Sequence, residues 1–197
     1  MQYAYGSKMV LSRIILLGLL SSTVHAQVID LSSGAEVEFD AIGKPSMISI
    51  KGTGANTTGK FELKDGNVLG EFIVNLNSFT TDMETRDEHM KENYLETKKP
   101  GFDKAILKID QKNLSERVLP LKGKWSPKNL KGLLTLHGVT KEIPLNADIE
   151  IDEAKARGKV KFKIKLQDYG IEIPSFAGIT VADEVAAEVN INNKVTR

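Results

Sequence analysis

Apolar side chains recur at every second position along most of this chain. That period narrows the possible folds more than any other feature, because successive side chains of a β-strand point to opposite faces. Val37 and Phe39 alternate with Glu36 and Glu38, and Ile48 and Ile50 with Ser49 and Lys51. Phe61 and Leu63 lead into Asp65-Gly66-Asn67, a tight-turn sequence, and beyond it Val68, Gly70, Phe72, Val74 and Leu76 share one face. The theme returns in Ala105, Leu107 and Ile109. It returns again in Leu133 to Leu136, closed by His137-Gly138 and answered by Ile143, Leu145, Ala147 and Ile149. Phe162, Ile164 and Leu166 alternate with Lys161, Lys163 and Lys165, and a last run from about Glu184 to Val195 keeps Val185, Ala187, Val189 and Ile191 on one side. Roughly eight such runs at turn-separated spacing predict an all-β, antiparallel sheet closed or folded upon itself rather than a parallel one.

One segment breaks the alternation. From Thr81 to about Leu95 the pattern predicts a short helix across one end of the barrel: Thr81 and Glu84 have capping-box spacing, and Met83, Arg86, Met90 and Tyr94 recur near helical spacing. Met83, Met90 and Tyr94 are expected to bury their apolar parts there. Lys98-Lys99-Pro100-Gly101 ends the segment, since proline cannot continue a helix.

The first 26 residues read differently. Lys8 and Arg13 precede the apolar run Ile14 to Leu20, and the small-x-small pattern Val24-His25-Ala26 follows. These features are those of a secretory signal peptide cleaved after Ala26, with residues 27–197 as one mature domain that is periplasmic or secreted. The apolar run is about half the ~20 residues that span a bilayer, which argues against a stable membrane anchor.

Composition removes several functions. The 27 Lys and Arg against 26 Asp and Glu, interleaved along the chain, give no long-range positive field, so nucleic acid is not an expected partner. The absence of cysteine excludes disulfides, a thiolate nucleophile and cysteine-ligated metal. His89 and His137 lack metal-ligand spacing. Gly52, Gly54 and Gly59, around Thr53, Asn56 and Thr57, lack the lysine of a phosphate loop and read as a strand connection. Ser175 follows Pro174 without a nucleophile-elbow motif. His137-Gly138-Val139-Thr140 has turn chemistry. Trp125, Phe72, Phe79, Phe102 and Phe162 read as core in the absence of a basic groove.

Several stretches together resemble one family. Thr85-Arg86-Asp87-Glu88-His89-Met90 with Pro100-Gly101-Phe102 is similar to the T-x-R-D-x-H-L … P-x-F element of the YceI-like lipid-binding family. Gly132 to Lys141 resembles its G-x-L-T-x-H-G-V-T-K hairpin, Asp168-Tyr169-Gly170-Ile171 its D-F/Y-G-I element, and Val181 to Val185 its V-G-D-E-V start of the last strand. Tyr94-Leu95 stands where the family commonly has an aromatic pair, and Val181-Ala182 where it has Val-Gly.

The resemblance implies an antiparallel, eight-stranded, lipocalin-like β-barrel with one short helix at its mouth, generally exported, whose interior accommodates a long apolar chain such as a polyisoprenoid or fatty acyl derivative; no cofactor is expected. Eight strands enclose a space that is either filled by side chains or holds one slender ligand. Gly70, Ala147, Ala187 and Gly178 are expected to leave part of it under-filled. The expected wall is Phe72, Val74, Leu76, Phe79, Leu134, Leu136, Phe162, Ile164, Leu166 and Ile171. Arg86, Asp87 and His89 are helix and rim residues, with a polar head-group contact as a secondary role. Two other readings stand beside this one: a cofactor-free enzyme on a lipid or isoprenoid, with His89 and Asp87 as acid and base, and an envelope stress or interaction module with a packed barrel. The oligomeric state is left open, a dimer included.

Overall fold

The computed structural model describes residues 26–31, 35–45, 47–54, 57–64, 67–112, 122–127, 130–176 and 178–196, with Phe176 described in its backbone only. Positions 1–25 of the expected signal peptide, Asn56, and Asp65-Gly66 of the expected turn lie outside the described residues. Twelve strands follow in chain order: β1 (Gln27–Asp30), β2 (Ala35–Lys44), β3 (Ile48–Gly54), β4 (Thr57–Lys64), β5 (Asn67–Asn75), β6 (Lys104–Gln111), β7 (Gly123–Trp125), β8 (Leu130–Leu136), β9 (Val139–Ile151), β10 (Lys155–Lys165), β11 (Ser175–Phe176) and β12 (Ile179–Thr196). Between β5 and β6 lies α1 (Glu84–His89), which runs directly into a π-helical turn at Met90–Tyr94.

All pairings are antiparallel. Eight strands close a ring in the order β1-β4-β5-β6-β8-β9-β10-β12, and β12 returns to β1 through Val28 opposite Thr196 and Ile29 opposite Val195. The eight-stranded barrel with one short helix is therefore present. The other four strands among the described residues extend this ring: β1 and β2 lie successively along β12, β7 and β8 successively along β9, β3 pairs with β2, and the short β11 with β12. β12 starts at Ile179 rather than near Glu184, because its pairing with β2 shifts register between Val181 and Val185 and the alternation lapses there.

His137 (φ 49°) and Gly138 (φ 75°) form the two-residue turn between β8 and β9, the positive-φ pair that matches the twist of a hairpin. Gly70 has a different role from the one expected. A Cβ there would stand 2.1 Å from the Lys60 carbonyl oxygen and 2.8 Å from Phe61 Cα, so the glycine lets β4 and β5 coil tightly and opens no space.

Pairing closes the ring through its middle, and the ladder parts toward both ends: away from the mouth, among the described residues, β6 beyond Lys108 pairs only with β5, and β7 only with β9. Toward the mouth, β9 from Val139 to Leu145 pairs only with β8, and β10 beyond Lys161 pairs only with β12. A 3₁₀ turn, Leu166–Tyr169, lies beside that seam and is held by the Lys141 to Asp168 ion pair at 3.2 Å and by His137. A second seam, beside β3, is bridged by reciprocal backbone bonds of 2.9 Å between Thr53 and Thr80.

Candidate functional site

The inward faces of the mouth half enclose a cavity of about 500 Å³, within the range of small-molecule sites. Its wall comes from β2 (Val37, Phe39, Ala41), β3 (Ile50), β5 and the turn after it (Phe72, Val74, Leu76, Phe79), β6 (Ala105, Leu107), β8 (Leu134, Leu136), β10 and its continuation (Phe162, Ile164, Leu166, Ile171) and β12 (Val181, Val185, Ala187, Val189). Phe39 and Phe79 pack with ring centroids 5.5 Å apart. All ten residues expected in the wall line it. Of the four small residues expected to open the lumen only Ala187 lines it; Ala41 and Ala105, not among those four, line it as well. Those two, and the valines of β2 and β12, were signalled only by their place on alternating faces.

Toward the other end the described interior side chains belong to the packed core. Ile29, Leu31, Leu63, Val68, Ile109, Leu130, Ile151, Ala156 and Val195 are buried, and none of them lines the cavity. Registers place them together: Leu63 opposite Val68, Ile151 opposite Ala156, Ile29 opposite Val195.

The helical segment, with Pro174, Ser175, Ile179 and Val181, borders the mouth. Met90, Tyr94 and Leu95 are half-buried against the core, while Met83 stays 54% exposed although it reaches the cavity edge. The expected capping box does not form. The helix begins at Glu84 after an extended Met83 that makes no side-chain cap, because Thr81 is engaged elsewhere. Thr80 Oγ1 donates to one carboxylate oxygen of Asp87 at 2.6 Å, while the Thr81 amide, at 2.8 Å, and Thr81 hydroxyl donate to the other. Burial alone would raise the Asp87 pKa, but these hydrogen bonds, aided by the charge of Lys91, hold it below the usual carboxylate value.

Arg86 and His89 line the cavity and Asp87 does not. The three rim candidates are thus split: Asp87 faces Thr80, Thr81 and an outer cleft, which separates it from the interior that a His89–Asp87 acid-base pair would have to serve. Across the mouth, the Ser175 amide donates to Tyr94 Oη at 3.3 Å and Tyr94 Oη donates to the Ser175 carbonyl at 3.4 Å. His137 does more than make a turn. Its Nε2 lies 2.9 Å from Glu96 Oε2, its Nδ1 lies 3.1 Å from the Tyr169 carbonyl oxygen, and its ring packs 4.2 Å from that of Phe102. It joins the hairpin, the segment after the helix and the 3₁₀ turn, a convergence that no local spacing signals. Among the described residues no three histidines or carboxylates gather as metal ligands, and no helix is long and apolar enough to cross a membrane.

Comparison with known proteins adds a lineage to this geometry. The YceI-like domain family matches residues 29–193. A polyisoprenoid binding domain from Saccharophagus degradans superposes with a TM-score of 0.66 at 14% identity, covering 87% of this chain and 100% of that one. BcnA of Burkholderia cenocepacia superposes at 0.61 with 13% identity, covering 86% and 99%. The YceI protein of Campylobacter jejuni superposes at 0.53 with 18% identity, covering 75% and 86%. No curated protein matches the sequence.

Proposed function

The chain belongs to the YceI-like family, and from that premise we propose that it is an exported, non-catalytic protein that sequesters or carries an amphiphile with a long apolar tail. The observation that supports this most is the cavity of about 500 Å³ walled almost wholly by hydrocarbon side chains. Each methylene buried there contributes about 0.8 kcal/mol, so a ten-carbon stretch contributes about 8 kcal/mol against the cost of ordering the ligand. A polyisoprenoid or fatty acyl tail meets that description, and a neighbour of the same fold is described as polyisoprenoid binding. Removal of the first 26 residues on export leaves Gln27 as the mature N-terminus.

The test is native mass spectrometry of protein isolated from its own envelope without detergent. An adduct of lipid mass is expected on the wild-type chain. Ala187→Leu, which pushes a larger side chain into the cavity, should lower its occupancy several-fold with little change in folding. A chain that is always empty and takes up no hydrophobic probe overturns the reading.

A further inference from the structure

The wall of the cavity contains one residue at odds with the rest. Arg86 is the only lysine or arginine among its lining residues, and no aspartate or glutamate lines it. Two of the guanidinium's five N–H groups are engaged, and both meet neutral acceptors: Nε donates to Thr81 Oγ1 at 2.7 Å and Nη2 to the Thr81 carbonyl oxygen at 2.6 Å. Among the described residues no carboxylate lies within ion-pair distance of it.

The neighbour that might have neutralised it is turned away. Asp87 is satisfied by Thr80 and Thr81, so Thr81 donates to the anion while accepting from the cation and keeps the two apart. The charges consequently segregate across the helical segment. Its outer cleft is lined by five carboxylates (Asp82, Glu84, Asp87, Glu88, Glu92) and two lysines, whereas its inner side presents Arg86, with His89 three residues further on the same face. A cation oriented by fixed neutral groups beside a low-dielectric cavity attracts an anion more strongly than it would in water.

We propose that Arg86 is a head-group subsite, and that the amphiphile taken by this barrel carries an oxyanion, a carboxylate or a phosphate, seated against Arg86 at the mouth with its tail in the lumen. This deepens and rests on the carrier reading above. It assigns selectivity to Arg86 and none to Asp87.

The test pairs each anion with its neutral alcohol: palmitate with hexadecanol, and geranylgeranyl monophosphate with geranylgeraniol, measured by displacement of a fluorescent hydrophobic probe. At least one anion should bind about tenfold or more tightly than its own alcohol, and the pair that shows the preference tells the carboxylate from the phosphate. Arg86→Gln should bring that ratio close to one, whereas Arg86→Lys keeps part of it. In the wild-type chain, which needs no variant to fold, the ratio should shrink as salt rises from roughly 0.05 to 0.5 M. Alcohols that bind as tightly as their anions, or a ratio that survives both Arg86→Gln and salt, overturn the subsite and leave the carrier reading standing. Failure of all four probes to bind overturns the carrier reading itself.

Discussion

The two halves of this barrel are made from the same strands and the same residue types, yet one is filled and the other hollow. In the closed half Leu130 and Ile151 are each 1% exposed and Ala156 is fully buried. In the mouth half Phe39, Ile50, Phe162 and Ile164 remain only partly buried around open space. Hydrophobicity is thus common to both and does not distinguish them. The hydrogen-bond ladder does not separate them either, because it parts in both: in the closed half β6 beyond Lys108 pairs with β5 alone among the described residues, and in the mouth half β9 and β10 separate where turns bridge the gap.

The largest test of this contrast is a matched pair of truncations. Ile151→Ala should cost about 3–4 kcal/mol in chemical denaturation, because the vacated volume is enclosed on every side. Ile164→Ala should cost less than about 1.5 kcal/mol, since one side of Ile164 already faces a void. Equal losses would show that the mouth half is packed as tightly as the closed half.

A smaller effect is expected at the mouth's polar anchor. Asp87→Ala leaves the Thr81 amide and the Thr80 hydroxyl without their acceptor and should destabilise by roughly 2 kcal/mol. Amide exchange should accelerate most over residues 84–95. The sign with pH follows from the depressed pKa. The contribution of Asp87 is in place above the ordinary carboxylate value of 3.8 and is lost as acid titrates the folded carboxylate below it, so acid should loosen the wild-type helix and have less effect in the variant.

The smallest effect concerns Tyr169, 1% exposed, whose hydroxyl has no hydrogen-bond partner among the described residues. Burial, with a contribution from the charge of Asp168, pushes its pKa up to about 12. Its neutral form is thus favoured by folding, in a term fully present below pH 10 and lost as pH climbs through about 12. Tyr169→Phe should change stability at neutral pH by less than about 1 kcal/mol and should flatten the alkaline limb of the pH-stability curve. A strongly destabilised variant would mean that the hydroxyl is bonded after all.

Much of the closed ring was legible because alternation is a local signal. Phe72 and Val74, or Phe162 and Ile164, declare a shared face without knowledge of their neighbours, and each of these reaches the cavity wall. The division into filled and hollow halves was not legible. It depends on which strands remote in the chain are brought side by side, as where Ile29 lies opposite Val195, and such registers are not signalled locally. The helix illustrates the same limit on a smaller scale. Thr81 and Glu84 satisfied a local capping rule, but a more distant acceptor, Asp87, took the Thr81 donors and delayed the helix to Glu84. Arg86 and Asp87 were consequently grouped by adjacency when the fold sends them to opposite sides. Gly70 was read as spare room when the coil of β4 over β5 required it.

On the carrier reading, a tube stoppered at the bottom would behave like a scabbard. A guest would slide in tail first and leave by reversing, so the end it shows to the outside would be fixed before any recipient is met. Depth, rather than attraction for hydrocarbon, would then limit the longest tail that fits fully, and longer guests would protrude by the difference.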